Sequence, residues 1–409
     1  MAYQYTQMME EHSIKPSVIL NEVKDLSMDV TAFLQEISRL GVGFYTGVPD
    51  SLLQPLCDTL YARFGTGENH IVAANEGAAV GLAAGHYIAT GKPALVYLQN
   101  SGIGNAANPV ISLLNERVYG IPCVFVVGWR GEPGVHDEPQ HVFQGEITPA
   151  MLSLMGLPPF MISADTGIPA LEEMVSEAEA SVSQGKSVAF LIRKGALSDG
   201  EKAGFESRRT LLREDALRLI LTHASNDDVF VCTTGKTSRE VCELREALFQ
   251  GHDRDFLTVG SMGHASMIAL GIAKARPETT VWCLDGDGAA LMHLGSLLVE
   301  ARCACKNLIH VVLNNGAHES VGGMPVNGGN ISFLPIARAA GFESCFFAEN
   351  EKELLKLLPA IEKAAGKQSC FVEIALKQGS RLNLGRPKAT PKENLRQLMG
   401  YLQLQGEKA

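Results

Sequence analysis

Two doubly wound parallel-sheet α/β halves of similar fold are what the sequence predicts, and three observations predict them. Short apolar runs alternate with helical stretches, the alternation starts again after a polar linker, and glycine-bearing turns sit where strands end. Crossover helices cover both faces of such sheets, so their strands read as continuous apolar runs. At 409 residues the chain also exceeds what one hydrophobic core usually organises.

The first half opens with a helix over 31–40, in which Phe33, Ile37 and Leu40 share one face, Asp29 precedes as cap and Gly41 follows as stop. Strands are expected at 43–46, 71–74, 94–98, 122–127, 160–163 and 187–192. The stretch 194–213 is rich in Gly, Ser, Glu and Arg without apolar periodicity, which marks a linker. Strands then recur at 229–232, 256–259, 280–284, 308–313, 344–347 and 370–376, with a helix at 289–301 and a short one at 391–402. No sequence repeat is visible, so the likeness between halves is one of architecture.

A hydrophobic content of 46%, 20% charged residues and a formal charge of −10 describe a soluble globular chain and argue against nucleic acid or an anionic membrane as partner. An anionic substrate would have to be drawn by a local basic cluster. Nine cysteines without a Cys-x-x-Cys pair read as structural thiols of a reducing compartment. The first 28 residues hold mixed charges and no apolar core of signal-peptide length, and no run approaches a membrane span, so a cytoplasmic location is expected.

The chemistry is read from two loops. Gly286-Asp287-Gly288 follows the strand at 280–284, and Asn314-Asn315 ends the strand at 308–313. Both turns fall at the carboxyl edge of a parallel sheet, where such sheets bind ligands. Asp287 offers an anionic oxygen, an Asn side chain a neutral one and the Ala317 backbone carbonyl a third, which leaves room for diphosphate oxygens and water in the octahedron Mg²⁺ prefers. Glycines let the backbone approach phosphates closely. Taken singly, Gly-Asp-Gly is a common turn; joined to Asn-Asn in a strand–helix–strand unit, it points to a metal-held diphosphate.

This pattern resembles that of the thiamine-diphosphate enzymes. The resemblance implies Asp287, Asn315 and the Ala317 carbonyl as Mg²⁺ ligands, with Asn314 the lesser candidate, and Gly286, Gly288 and Ala289 beside the diphosphate. It also implies a pyrimidine-binding domain at 30–197 and a diphosphate-binding domain at 213–380, flanked by an extension at 1–29, a linker at 198–212 and a tail at 381–409. The linker is too short for the third domain that many decarboxylases of the family insert. The chain is therefore similar to the compact subgroup acting on phosphonopyruvate and sulfopyruvate, with which it shares Gly47-Val48-Pro49-Asp50-Ser51.

That resemblance assigns further roles. Glu76, where a short strand runs into a helix of small residues, becomes the acid serving the aminopyrimidine; read alone, it is a glutamate favoured near a helix amino terminus. Asp50, otherwise a helix cap, becomes a second catalytic acid, with Gly47 beside it at the cofactor. Met262 becomes the apolar wedge under the cofactor, with Gly263 beside it at the cofactor, although a Met between glycines is often core filler. Thr234 and Gly235, in Thr233-Thr234-Gly235-Lys236-Thr237-Ser238, open a helix that cradles the diphosphate or is simply capped. Gly102-Ile103-Gly104-Asn105 lacks the third glycine of a dinucleotide fingerprint.

For the substrate, the polar stretch after the strand at 122–127 offers Arg130, His136 and His141 to a phosphonate or sulfonate, with Arg381 and Arg386 of the tail as a lid and His318 as a proton relay. The activity implied is non-oxidative decarboxylation of 3-phosphonopyruvate, a small anionic 2-oxo acid, to phosphonoacetaldehyde. Sulfopyruvate is the alternative substrate, and a carboligase or cofactor-binding partner subunit is the alternative of another class. Family precedent also implies a homodimer or larger homo-oligomer with sites between subunits.

Overall fold

The computed structural model describes residues 27–198, 200–201, 209–326 and 331–406. Most of the expected extension at 1–29 and the central part of the expected linker, 202–208, lie outside the described residues. The chain divides into two compact units, one comprising 1–71 and 76–203, the other 72–75 and 204–409.

The first unit carries strands β1 (Tyr45–Gly47), β2 (His70–Val72), β3 (Leu95–Gln99), β4 (Val124–Gly128), β5 (Pro159–Ile162) and β6 (Val188–Ile192). Between and around them run α1 (Val30–Ser38), α2 (Gln54–Phe64), α3 (Glu76–Thr90), α4 (Ile103–Pro109), α5 (Pro139–Leu154) and α6 (Ile168–Val182). The sheet order is β2-β1-β3-β4-β6-β5. Asp29 caps α1 as the sequence implies, its carboxylate accepting from the Thr31 and Ala32 N–H groups. Every residue of β4 and β6 is buried, as required where helices cover both faces. Gly47 is fixed by the fold itself: a Cβ there would lie 2.1 Å from the Tyr97 carbonyl of the neighbouring strand.

The second unit repeats the plan with β7 (Val229–Cys232), β8 (Asp255–Leu257), β9 (Val281–Gly286), β10 (Leu308–Asn314), β11 (Ser344–Ala348) and β12 (Cys370–Ala375), ordered β8-β7-β9-β10-β12-β11. The pairs are all parallel. Its helices include α7 (Arg213–His223), α8 (Lys236–Ala247), α9 (Ala265–Ala275), α10 (Asp287–Met292), α11 (Ser296–Cys303), α12 (Leu334–Ala340), α13 (Glu351–Ala364) and α14 (Pro391–Gly406). Identical strand order without sequence repetition shows that apolar periodicity and crossover handedness carry the fold. The single helix expected at 289–301 is instead two, α10 and α11, because the backbone leaves the helical path at His293 and restarts with Gly295 as N-cap.

Each sheet has a switch point, between β1 and β3 in one unit and between β7 and β9 in the other, where successive crossovers leave in opposite directions. The crevice at such a point, beyond the carboxyl ends of the strands, is the standard ligand position. Among the described residues no helix is long and apolar enough to cross a membrane, and all nine cysteines are unpaired thiols.

The core of the second unit also holds an ion pair. Arg245 of α8 donates from Nη2 to Asp255 of β8 at 2.7 Å, and its guanidinium lies 4.8 Å from the Phe230 ring centroid. Both charged side chains are almost wholly buried. Arg245→Ala would strand the Asp255 carboxylate in the core and should cost about 3–5 kcal/mol of stability, read as a lower urea midpoint.

Candidate active site

The turns Gly286-Asp287-Gly288 and Asn314-Asn315-Gly316-Ala317 emerge side by side, since Gly286 of β9 stands opposite Leu313 of β10. The Asp287 carboxylate accepts from the Gly288 N–H at 2.8 Å and the Gly316 N–H at 2.6 Å. It is 5% exposed, and burial raises its pKa to about 6 in spite of those two bonds. A desolvated carboxylate answered only by backbone N–H groups and more distant arginines is a site that gains from a cation.

The two asparagines part company. Asn314 turns into the scaffold, its amide donating to the Ile331 carbonyl and to Glu373 while Arg209 donates to its backbone carbonyl. Asn315 stays on the loop, its oxygen accepting from the Ala317 N–H at 3.0 Å and its nitrogen donating to Glu319 at 2.7 Å. Glu319 is held by Arg213 and Lys236, and Arg213 by the buried Glu240. Pro325, which faces Ala317 in a short antiparallel pair, has no N–H to occupy the Ala317 carbonyl. An anionic oxygen, an amide oxygen and a carbonyl on adjoining turns form an all-oxygen donor set suited to Mg²⁺.

Met262, Gly288 and His318 converge: a Cβ on Gly288 would lie 3.1 Å from the His318 ring and 3.5 Å from the Met262 methyl. Burial lowers the His318 pKa to about 4, so the ring is neutral at neutral pH. Gly263, with φ of 89°, brings the chain against His293 and Ala289. Across the switch point Thr233 donates its N–H to the Leu284 carbonyl, and Thr234 and Gly235 lead into α8, with Gly235 at φ of 95° as its N-cap. The Ser238 hydroxyl is turned inward onto the Thr233 carbonyl at 2.8 Å, and Thr234, Gly235 and Lys236 are the half-buried part of that turn.

In the first unit, Glu76 begins α3 and is 5% exposed. One carboxylate oxygen accepts from the Asn105 amide at 2.7 Å. The other faces Gly102 so closely that a Cβ there would lie 2.2 Å away. Burial raises the Glu76 pKa, opposed by the Asn105 bond.

Asp50 follows β1 at the switch point and is wholly buried. Gln99, the last residue of β3, donates to its Oδ1 at 2.6 Å, while Oδ2 has no hydrogen-bond partner among the described residues. A Cβ on Gly128 would lie 2.1 Å from that oxygen. Burial again raises the pKa, against the Gln99 bond and the Arg130 charge. Asp50 is not the helix cap: α2 starts later, with Leu53 as N-cap and no side-chain cap bond.

Of the expected anion binders, Arg130 donates to Ser51 Oγ at 3.0 Å and forms a fork with Asp137. Burial would raise the Asp137 carboxyl, but bonds from Arg130, Glu138 and Gly131 hold it well below the usual range. The Arg130 main chain is pinned at both its N–H and carbonyl by the Asn100 amide. His136 is exposed, and His141 is half-buried with Nδ1 unpartnered among the described residues. Arg381 is engaged by Glu214 and Glu243 of its own unit, so an anion would have to displace two carboxylates to claim it. Arg386 is exposed on the same segment.

Sequence reasoning gave no role to Gln99 or Asn105. A signal existed for both: the polar run Gln99-Asn100-Ser101 at a strand end and an amide inside the incomplete glycine fingerprint. Glu319 stood out only as part of His318-Glu319-Ser320 just past the Asn pair, and its ties to Arg213 and Lys236 left no signal, because those partners are distant in sequence.

With this geometry in place, the comparisons with known proteins fix the class. Residues 30–152 match the family model described as "Thiamine pyrophosphate enzyme, N-terminal TPP binding domain", and 234–374 match "Thiamine pyrophosphate enzyme, C-terminal TPP binding domain". The chain belongs to the thiamine pyrophosphate (thiamine diphosphate) enzymes, and thiamine diphosphate is its cofactor. A phosphonopyruvate decarboxylase of Streptomyces viridochromogenes is 33% identical over 383 residues, covering 90% of this chain and 93% of that one. One from Streptomyces hygroscopicus is 32% identical, covering 90% and 92%. A sulfopyruvate decarboxylase of Methanosarcina acetivorans is 30% identical, covering 74% and 80%.

The two asparagines should separate experimentally. Asn315→Ala and Asp287→Ala should weaken Mg²⁺-dependent cofactor uptake by more than the about 10–100-fold that loss of an outer partner costs, measured by calorimetric titration. Asn314→Ala should act mainly on thermal stability, through the Glu373 carboxylate it leaves short of a donor.

Proposed function

We propose that the chain is a carboxy-lyase that converts 3-phosphonopyruvate to phosphonoacetaldehyde and carbon dioxide with thiamine diphosphate and Mg²⁺. The observation that carries this reading is the likeness to two phosphonopyruvate decarboxylases over nearly the whole chain. The same chain holds both a desolvated glutamate at a helix start and a metal-type turn, which counts against a cofactor-binding partner without activity.

When bound, thiamine diphosphate supplies the nucleophilic carbon and the electron sink for loss of carbon dioxide. In this reading Asp287, the Asn315 amide oxygen and the Ala317 carbonyl hold Mg²⁺, while Thr234, Gly235, Gly286, Gly288 and Ala289 lie along the diphosphate. Met262 supplies the wedge, with Gly263 next to it at the cofactor. Glu76 holds a proton toward the aminopyrimidine, a task its raised pKa suits.

Decarboxylation replaces a carboxylate with one proton on carbon. Asp50 is the group to hold that proton: its Oδ2 is unpartnered and its neutral form is favoured by burial. Neutral His318, beside Gly288, offers a hydrogen bond without adding charge. Arg130, paired with Asp137 and fixed by Asn100, keeps an N–H on Ser51 and, with His136 and His141 on the same stretch, supplies hydrogen-bond donors to the anionic head group. A homo-oligomer with shared sites and a cytoplasmic location complete the reading. Sulfopyruvate stays the second candidate on the strength of the Methanosarcina relative.

Turnover of phosphonopyruvate, sulfopyruvate and pyruvate, followed by aldehyde and carbon dioxide release with and without an acceptor aldehyde, tests the assignment. Phosphonopyruvate should give the highest kcat/KM; preference for sulfopyruvate, or product only with the acceptor, would overturn it. Asp50→Asn should lower kcat about 10²–10⁴-fold, the usual range for loss of a general acid, while cofactor binding measured by calorimetry stays at the wild-type level.

A further inference from the structure

Beneath the metal-type turn lies a set of ionisable groups that the proposed chemistry does not use. Cys283 and Asp285 project from the same face of β9, His310 stands opposite Cys283 on β10, and Glu300 reaches in from α11. All four are buried, none more than 1% exposed. His310 Nδ1 is hydrogen-bonded to Glu300 Oε2 at 2.8 Å, while Nε2, which has no hydrogen-bond partner among the described residues, faces Asp285 Oδ2 at 3.7 Å as an ion-pair contact. The other Asp285 oxygen accepts the Gly286 N–H at 2.9 Å. Gly286 is the first residue of the turn whose next member is Asp287.

We propose that His310 is a positioning residue: held on one side by Glu300 and facing Asp285 on the other, it fixes Asp285, which through the Gly286 N–H sets the turn that presents Asp287. The inference rests on the reading of Asp287 as a Mg²⁺ ligand. An imidazole with a proton on each nitrogen presents one N–H to each of the two carboxyl groups that flank it. Burial by itself would lower the His310 pKa, but Glu300 and Asp285 raise it to about 10. Cys283 stays a thiol, since burial and the same carboxylates push it well above its ordinary range. The Phe371 ring packs edge-on at 5.4 Å and limits the room for the imidazole to swing. The arrangement is one step further out than a usual metal partner: carboxylate, imidazolium, carboxylate, backbone N–H, ligand.

A proton here and a second metal ion at Cys283, Asp285 and His310 predict different things. Wild type, His310→Gln, Asp285→Asn and the milder Glu300→Gln should be titrated with Mg²⁺ at fixed thiamine diphosphate, binding being read from intrinsic fluorescence, which includes Trp282 on β9. Arg245→Ala serves as a control that loses stability elsewhere. The expected result is a rise of about 10–100-fold in the Mg²⁺ concentration for half-saturation in the folded clasp variants, the range for outer partners of metal ligands, with the control unchanged. Nitrogen NMR of the wild type should show both His310 ring nitrogens protonated at neutral pH. Wild-type half-saturation in the folded variants would overturn the inference, as would a neutral ring or one equivalent of zinc lost in His310→Gln. Failure of the wild type to bind the cofactor at all would sink the ligand reading of Asp287 itself.

Discussion

A carboxylate kept out of water at the end of a parallel strand is the constraint on which the second unit is organised. Asp287 cannot be answered by a neighbouring side-chain cation without closing the crevice, so the fold answers it with two backbone N–H groups, from Gly288 and Gly316. This demands that two turns far apart in sequence meet with their N–H groups aimed at one oxygen pair. Parallel pairing of β9 with β10 brings the turns together, and Gly316, with φ of 72°, lets the second one curl inward. The incomplete neutralisation that remains is what a divalent ion would supply.

Around that point the protein invests further buried charge. Glu319 ties Asn315 to Arg213 and Lys236, and the Glu373 carboxylate gathers Asn314 together with the Phe333 and Leu334 N–H groups at the start of α12. Buried pairs of this kind contribute little net stability compared with apolar packing. Their value lies in geometry, because a hydrogen-bonded charge in a low-dielectric interior tolerates few alternative placements. The first unit uses the same device on a smaller scale. Asp50 and Glu76 are each desolvated, each takes one amide donor, Gln99 or Asn105, and each is crowded by a glycine where any side chain would collide. One amide per carboxyl fixes orientation without removing the preference for the proton.

The sequence by itself determined the class of each half. Strand positions read from apolar runs agree with the structure within a few residues, since strands buried on both faces have no other composition available to them. The metal-type turn was legible because its chemistry requires Gly, Asp and Asn at fixed strand ends, and Glu76 and Asp50 because the resemblance pointed to their motifs. Only the tertiary structure decided which asparagine stays on the loop, that Arg381 is already bound by Glu214 and Glu243, that one expected helix is two, and that His310 sits between two carboxylates. Those outcomes depend on side chains from non-adjacent segments competing for the same donors. A linear pattern fixes which face a residue lies on, but the partner that claims its hydrogen bonds is chosen by packing in three dimensions.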